Sequence, residues 1–335
     1  MKEYIEKLRH KVDLSSEEIE SVMRTIMSGQ AKDDLIAQFL LALKDKGATV
    51  AEITGAAKLL QQFYNEVKTK HEVVLDTCGT GGDKKHTFNI STVSAFVVAG
   101  AGVVVAKHGN RSVSSKCGSA DLLEALGVNL AVEHERLSAC LDEVGIAFLF
   151  AQKLHPAMKN VAMVRKALGV ETIFNILGPL INPAKATHQV MGVYSRDLVE
   201  PMAQVLKNLG LRRALVVHGS DGLDEVTTTG KTFVSEWDGV KITSYDIMPE
   251  EVGISLARES DLKGGDLDRN SHIAEDVLVG KRGPHRDIVV LNAACALYIA
   301  ETAASIADGI KLAVQSIDSG KAMDKLTALR KFTSQ

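Results

Sequence analysis

A change of texture near residue 73 constrains what this chain can fold into more than any other feature. Before it, every periodic segment reads as helix. Ser15 and Glu18 make a capping-box pair that opens one helix, and Gly29 closes it. Residues 32–46 set Leu35, Ile36, Phe39, Leu40 and Leu43 at the spacing of one apolar helical face, ended by Gly47. Residues 50 to about 67 predict a further helix, and the polar run 65–72 a linker. After it, short apolar runs alternate with helical segments. Strand candidates are residues 73–76, 103–106, 146–150, 190–194 and 214–218, with helices at 89–100 and 119–126. Residues 232–245 predict a hairpin turning at Trp237-Asp238-Gly239, and helix returns from His285 onward. Strands alternating with helices indicate a mostly parallel sheet covered on both faces. The expected fold is a small N-terminal helical domain, residues 1–70, followed by a large α/β domain, residues 71–335.

Size and composition fit that plan. A chain of 335 residues favours about two domains. Its 45% hydrophobic and 24% charged residues exclude a disordered chain. With 39 Lys and Arg against 42 Asp and Glu, it lacks the basic excess of a protein built to hold a long polyanion. Cys78, Cys117, Cys140 and Cys295 form no Cys-x-x-Cys motif and no His pair has zinc-ligand spacing, so four reduced thiols are expected. The N-terminus opens directly into a charged segment, which is neither a signal nor a transit peptide. The longest apolar stretch, 95–106, stops at Lys107 and is too short to span a bilayer. The expectation is a soluble cytoplasmic protein with no membrane and no nucleic-acid partner.

Four constellations could carry chemistry. The first is Asp76-Thr77-Cys78-Gly79-Thr80-Gly81-Gly82-Asp83, directly after a strand, followed by Asn89-Ile90-Ser91-Thr92 at a helix start. Clustered glycines let backbone N–H groups approach an anion, and a helix N-terminus favours phosphate. The same glycines also make an ordinary turn. The loop matches neither a Walker A motif nor Gly-x-Gly-x-x-Gly. The second is Lys107-His108-Gly109-Asn110-Arg111-Ser112-Val113-Ser114-Ser115-Lys116, whose cations, hydroxyls and amide can wrap a phosphate ester or simply face solvent. The third is Asp224-Glu225, which can hold Mg²⁺ or form an exposed acidic turn. The fourth runs from His155-Pro156 through Arg165, about three helical turns on, to Phe174-Asn175-Ile176-Leu177-Gly178-Pro179-Leu180. Arg165 suits a surface ion pair or a substrate carboxylate. Two complementary loops at strand ends favour a ligand site, because ligands of open α/β sheets lie at the carboxyl ends of strands.

Taken together, Gly79-Thr80-Gly81-Gly82-Asp83, the 107–115 loop, Gly118-Ser119-Ala120-Asp121, Asp224-Glu225 and the Asn-x-x-Gly-Pro-Leu run resemble the anthranilate phosphoribosyltransferase family, in the family's order across nearly the whole chain. The resemblance implies a nucleoside phosphorylase-like fold in which helices from about 165–183 join the N-terminal bundle. It implies transfer of the phosphoribosyl group of 5-phosphoribosyl 1-diphosphate to the amine of anthranilate, in tryptophan biosynthesis, by a Mg²⁺-dependent homodimer. Sugar-diphosphate contacts carry over onto Gly79, Gly82, Asp83, Thr87, Asn89, Ile90, Ser91, Thr92, the loop 107–115 (Lys107, His108, Gly109, Asn110, Arg111, Ser112, Val113, Ser114 and Ser115) and Ser119. Metal contacts fall on Ser91, Asp224 and Glu225, and anthranilate contacts on Gly79, Asn110 and Arg165. The catalytic groups implied are Lys107, Asp224 and Glu225, with His108 a proton acceptor or a packing partner. Met163 stands where the family pattern has proline, and Glu171 where it has a basic residue. Two alternatives stay open at this stage: a pyrimidine nucleoside phosphorylase of the same architecture, and a non-catalytic relative that binds nucleic acid.

Overall fold

The computed structural model describes residues 1–111 and 117–335. Its N-terminal part is a bundle of α1 (Lys2–Arg9), α2 (Ser16–Met27), α3 (Asp33–Lys46) and α4 (Val50–Leu60). Reciprocal capping boxes start two of them, Ser15 with Glu18 and Thr49 with Glu52, each satisfying two orphan helix donors. Glu52 is fully buried, yet it accepts from Leu14 N, Thr49 N and the Lys46 ammonium, so no charge is left unpaired. Helix α4 stops at Leu60 rather than near Val67. The chain there is already crossing to the second domain: Asn65 N donates to Leu154 O (2.9 Å) and Val67 N to Pro183 O (3.0 Å), donors that a helix would have kept for itself. Val161 and Val164 of the helix Lys159–Leu168, with Phe174, Ile176 and Leu177, share one apolar cluster with Ile19, Met23 and Phe39 of the bundle.

The second domain is built on one seven-stranded sheet in the order β3-β2-β1-β4-β5-β6-β7. Its strands are β1 (Val74–Asp76), β2 (Val104–Gly109), β3 (Ile146–Phe150), β4 (His188–Gly192), β5 (Arg213–Gly219), β6 (Thr232–Trp237) and β7 (Ile242–Ile247). The first five are parallel, and the β6–β7 hairpin adds two antiparallel strands at one edge. Period-2 alternation divides the interior. Leu215 and Val217 of β5 point into the core shared with α5 (Ile90–Gly100) and the helix Pro284–Ile299. Ala214 and Val216 point instead into the core shared with the bundle and the helix Val199–Asn208. The hairpin turn is held by Asp238, whose Oδ1 accepts from Val240 N and Lys241 N.

Two strands differ most from the sequence expectation. Strand β2 continues through Lys107, His108 and Gly109, because the parallel ladder to Phe148, Leu149 and Phe150 continues. Strand β4 ends at Gly192, where Tyr194 N turns to Thr80 Oγ1 (3.1 Å). From β1 the chain winds outward to β2 and β3, then returns to the other side of β1 as β4. The carboxyl end of β1 is therefore the topological switch point, where open α/β sheets hold ligands. No helix among the described residues is long and apolar enough to cross a membrane. All four cysteines are buried thiols, and none is in a disulfide.

Candidate active site

The glycine loop leaves β1 at the switch point and folds back against β4 and the 219–225 loop. Thr80 N donates to Gly192 O (2.9 Å) and Gly81 N to Asp224 Oδ2 (2.8 Å). Gly81 and Gly82 have φ of +65° and +87°, the left-handed region that glycine enters without a Cβ clash. A Cβ at Gly79 would sit 3.1 Å from Asp224 Oδ2, and one at Gly192 only 1.6 Å from Asp224 O. These approaches bring the acidic pair to the loop.

Lys107 closes the site from the β2 side. It is buried, and its Nζ donates to Thr77 O (3.0 Å), while Thr77 Oγ1 donates to Ser91 O (3.2 Å). Ser91 N, in the first turn of α5, donates to Glu225 Oε1 (3.2 Å). The carboxylates of Asp83, Asp224 and Glu225 are thus close enough to influence one another, and Glu225 also feels the Lys107 ammonium. Burial, reinforced by Asp83 and Glu225, pushes the Asp224 carboxyl well above its usual range. Burial likewise raises Glu225, although Lys107 and Ser91 pull it back. Mutually repelling oxygen ligands of this kind suit a hard divalent cation such as Mg²⁺. Asp76, fully buried beneath the loop, is pushed up to about 6 by burial and stabilised by Lys107, Asn182 Nδ2 (2.7 Å) and His108 N (3.1 Å).

The remaining expected residues fall into separate groups. Ile90 belongs to the core, so only its backbone can face a ligand. Thr92 is also buried. Thr87 bridges to Lys263 on a distant strap, and Asn89 Nδ2 donates to Cys117 O (3.1 Å). Gly109 lies where a Cβ would meet Ser119 Oγ at 2.3 Å, and Ser119 Oγ donates to Asn110 O (3.2 Å). Asn110 Oδ1 accepts from Arg111 N (2.8 Å) and Gln152 Nε2 (3.2 Å). The Arg111 guanidinium is occupied by Asp121 (2.8 Å) and Glu124 (2.9 Å) of the helix α6 (Ser119–Ala125). Ser112, Val113, Ser114 and Ser115 lie outside the described residues.

On the bundle side, Arg165 does not continue a helix from His155. A short 3₁₀ turn, Pro156–Met158, separates His155 from the helix Lys159–Leu168 that carries Arg165. The Arg165 guanidinium lies over the Phe174 ring, 5.4 Å from the centroid, and burial lowers its pKa. The position suits a cation kept for an incoming anion. His108 Nε2 lies 3.0 Å from His155 Nε2, the two rings 5.0 Å apart, and burial with His155 and Lys107 holds His108 well below its usual pKa. Tyr64 packs edge-on against His155, 6.0 Å between centroids, so these rings link β2 to the segment that follows α4. Met163 is 73% exposed, away from this cluster. Glu171 is near enough to Tyr194 to raise its pKa alongside burial.

Sequence reasoning missed the strap 263–265 and Asn270, which pack beneath Thr87 and Asn89. The consecutive Gly264-Gly265 was the available signal, since paired glycines mark close backbone approach.

Known proteins match this arrangement along the whole chain. Residues 71–323 match the α/β domain of a glycosyl transferase family, and residues 2–63 its helical bundle domain. The anthranilate phosphoribosyltransferase of Symbiobacterium thermophilum is 50% identical over 333 residues, spanning 99% of this chain and 98% of that one. The crystal structure of anthranilate phosphoribosyltransferase from Thermus thermophilus superposes with a TM-score of 0.94 at 42% identity, covering 99% of both chains. The Saccharomyces cerevisiae enzyme in complex with PRPP and Mg does so with a TM-score of 0.91 at 30% identity, covering 99% of this chain and 97% of that one. With both domains matched and the likeness running nearly end to end, the chain belongs to the anthranilate phosphoribosyltransferase family.

Proposed function

We propose that this protein joins anthranilate to C1 of 5-phosphoribosyl 1-diphosphate, giving N-(5'-phosphoribosyl)anthranilate and diphosphate. The observation that carries the reading is the convergence of the glycine loop, Lys107 and the carboxylates of Asp83, Asp224 and Glu225 at one strand-end cleft. An inorganic-phosphate site, as a nucleoside phosphorylase needs, gains nothing from three carboxylates. A charged diphosphate neutralised by Mg²⁺ does.

In the reaction, the anthranilate nitrogen lone pair forms the bond to C1 as the C1–O bond to diphosphate breaks. The electron pair leaves with the diphosphate oxygen, and the nitrogen then loses a proton. Lys107 supplies fixed positive charge near the departing oxygens, and the glycines of the 79–82 loop let the backbone approach them closely. A preorganised donor of this kind is commonly worth ~10²–10³ in rate. Asp224, Glu225 and Ser91 would hold Mg²⁺, which supplies charge neutralisation to the diphosphate. Arg165 anchors the anthranilate carboxylate and Asn110 orients the ring. The amine is already neutral at pH 7, so positioning carries the acceptor side. His108, held neutral against His155, serves as a packing wall. Gly82, Asp83, Thr87, Asn89, Thr92, Ser119 and the 107–115 loop take the sugar diphosphate.

We further place the protein in the cytoplasm as a homodimer, for which light scattering should return twice the chain mass. The decisive assay follows anthranilate fluorescence with 5-phosphoribosyl 1-diphosphate, with Mg²⁺ and again with EDTA. Consumption should occur with Mg²⁺ alone. Asp224→Asn combined with Glu225→Gln should abolish most of it in a protein that stays folded. Near-normal turnover by that variant at limiting Mg²⁺ would overturn the metal assignment.

A further inference from the structure

We infer that Asn270 is a positioning residue for the sugar-diphosphate side of the cleft, acting through Asn89; the inference rests on reading Asn89 as a donor contact. Asn270 lies in the helix Leu267–Leu278, far from the glycine loop in sequence, and is only 3% exposed. Its Oδ1 accepts from Gly265 N (2.8 Å), and its Nδ2 reaches Asn89 Oδ1 at 3.5 Å. Asn89 occupies the N-cap position of α5, yet its side chain caps nothing there. Its amide is turned outward instead, with Nδ2 donating to Cys117 O (3.1 Å) and Oδ1 accepting from Cys117 Sγ (3.5 Å).

Asn270 is thus the member of this junction that joins Asn89 to the strap. The strap itself is tight against the loop. Thr87 bridges to Lys263, and Gly264 N donates to His86 O (3.0 Å). A Cβ at Gly264 would lie 2.6 Å from Asn270 Oδ1 and 2.8 Å from Thr87 O and Phe88 N. The junction requires one side chain that accepts on one atom and donates on the other. An amide does both, whereas a carboxylate only accepts and an apolar isostere does neither. Asn270 therefore sets the orientation of the Asn89 amide and the register of residues 87–89, from which α5 starts and carries Ser91 N to Glu225 Oε1. It touches neither substrate.

Asn270→Asp keeps the shape and the Gly265 bond but sets an acceptor against Asn89 Oδ1. It should raise KM for 5-phosphoribosyl 1-diphosphate about tenfold, the scale of one lost hydrogen bond. KM for anthranilate and kcat should stay within about twofold, a split that a merely structural role would not produce. In an Asn89→Ala background the same substitution should add nothing to the donor KM, since its route of action is gone. An undiminished effect in that background, or a parallel fall in kcat and both affinities, would overturn the inference. If Asn89→Ala raises the donor KM while Asn270→Asp does not, the inference alone fails. If Asn89→Ala leaves the donor KM unchanged, the reading of Asn89 fails and the inference with it.

Discussion

Acid should destabilise this protein through His155, and His155→Gln should remove that part of the loss. His155 is 6% exposed, and burial pulls its pKa down from 6.5 to about 4. In the unfolded chain the imidazole takes a proton near pH 6.5, in the folded one only near pH 4. Its contribution is therefore complete above pH 6.5 and drains as the pH falls toward 4, because the unfolded state binds more protons in that window. At pH 5 the loss works out to ~2 kcal/mol, out of ~3 kcal/mol for the whole shift. Asp76, Asp224 and Glu225 run the other way, since their folded pKa values are raised and their contribution is lost as pH rises. The wild-type curve mixes both signs, but the two proteins share those carboxylates and the burial that chiefly depresses His108, so their difference reports His155 and its contact with His108. Glutamine is neutral at every pH and can still place an amide opposite His108 Nε2, 3.0 Å away in the wild type. Urea denaturation of both proteins at pH 7.5, 6.5, 5.5 and 5.0 should show the variant gaining ~2 kcal/mol on the wild type across the series. Parallel curves would refute the reasoning, because His155 would then titrate alike in both states.

Local chemistry made much of the fold legible. The capping box at Ser15, the glycine after α3 and the strand–glycine-loop junction at Asp76 are each signalled by residues adjacent in sequence. What escaped was set by distant partners. The end of α4 is decided by carbonyls of Leu154 and Pro183, which no local pattern near Val67 reveals. Lys107 reads as a loop cation because charge seldom enters a buried strand. It is tolerated there because Thr77 O and the neighbouring carboxylates receive it. Arg111 looks like a phosphate ligand by composition, yet in this structure Asp121 and Glu124 hold it. Asn270 carries no local signal at all, because its place depends on how the helix Leu267–Leu278 is packed. The loops of the proposed site are thus marked by residues adjacent in sequence, while the residues that brace them emerge only with the tertiary contacts.

Two further substitutions test the proposed site. Arg165→Ala should raise KM for anthranilate at least about tenfold, because a charge-assisted bond to a carboxylate is lost, and leave that for the sugar diphosphate nearly unchanged; equal effects on both in steady-state kinetics would remove the carboxylate clamp. Gly192→Ala tests the apposition of strand and acidic loop, since its new methyl group would stand 1.6 Å from Asp224 O and 2.4 Å from the same carbonyl carbon. Backbone cannot rotate aside as a side chain can, so the cost should reach about 3 kcal/mol in urea denaturation, the upper part of the overpacking range. The 219–225 loop must then withdraw, taking Asp224 away from Gly81 N and weakening the proposed grip on Mg²⁺. Even a folded Gly192→Ala should therefore need more Mg²⁺ for half-maximal turnover, and a variant with wild-type stability and wild-type Mg²⁺ dependence would show that β4 and Asp224 do not meet as described.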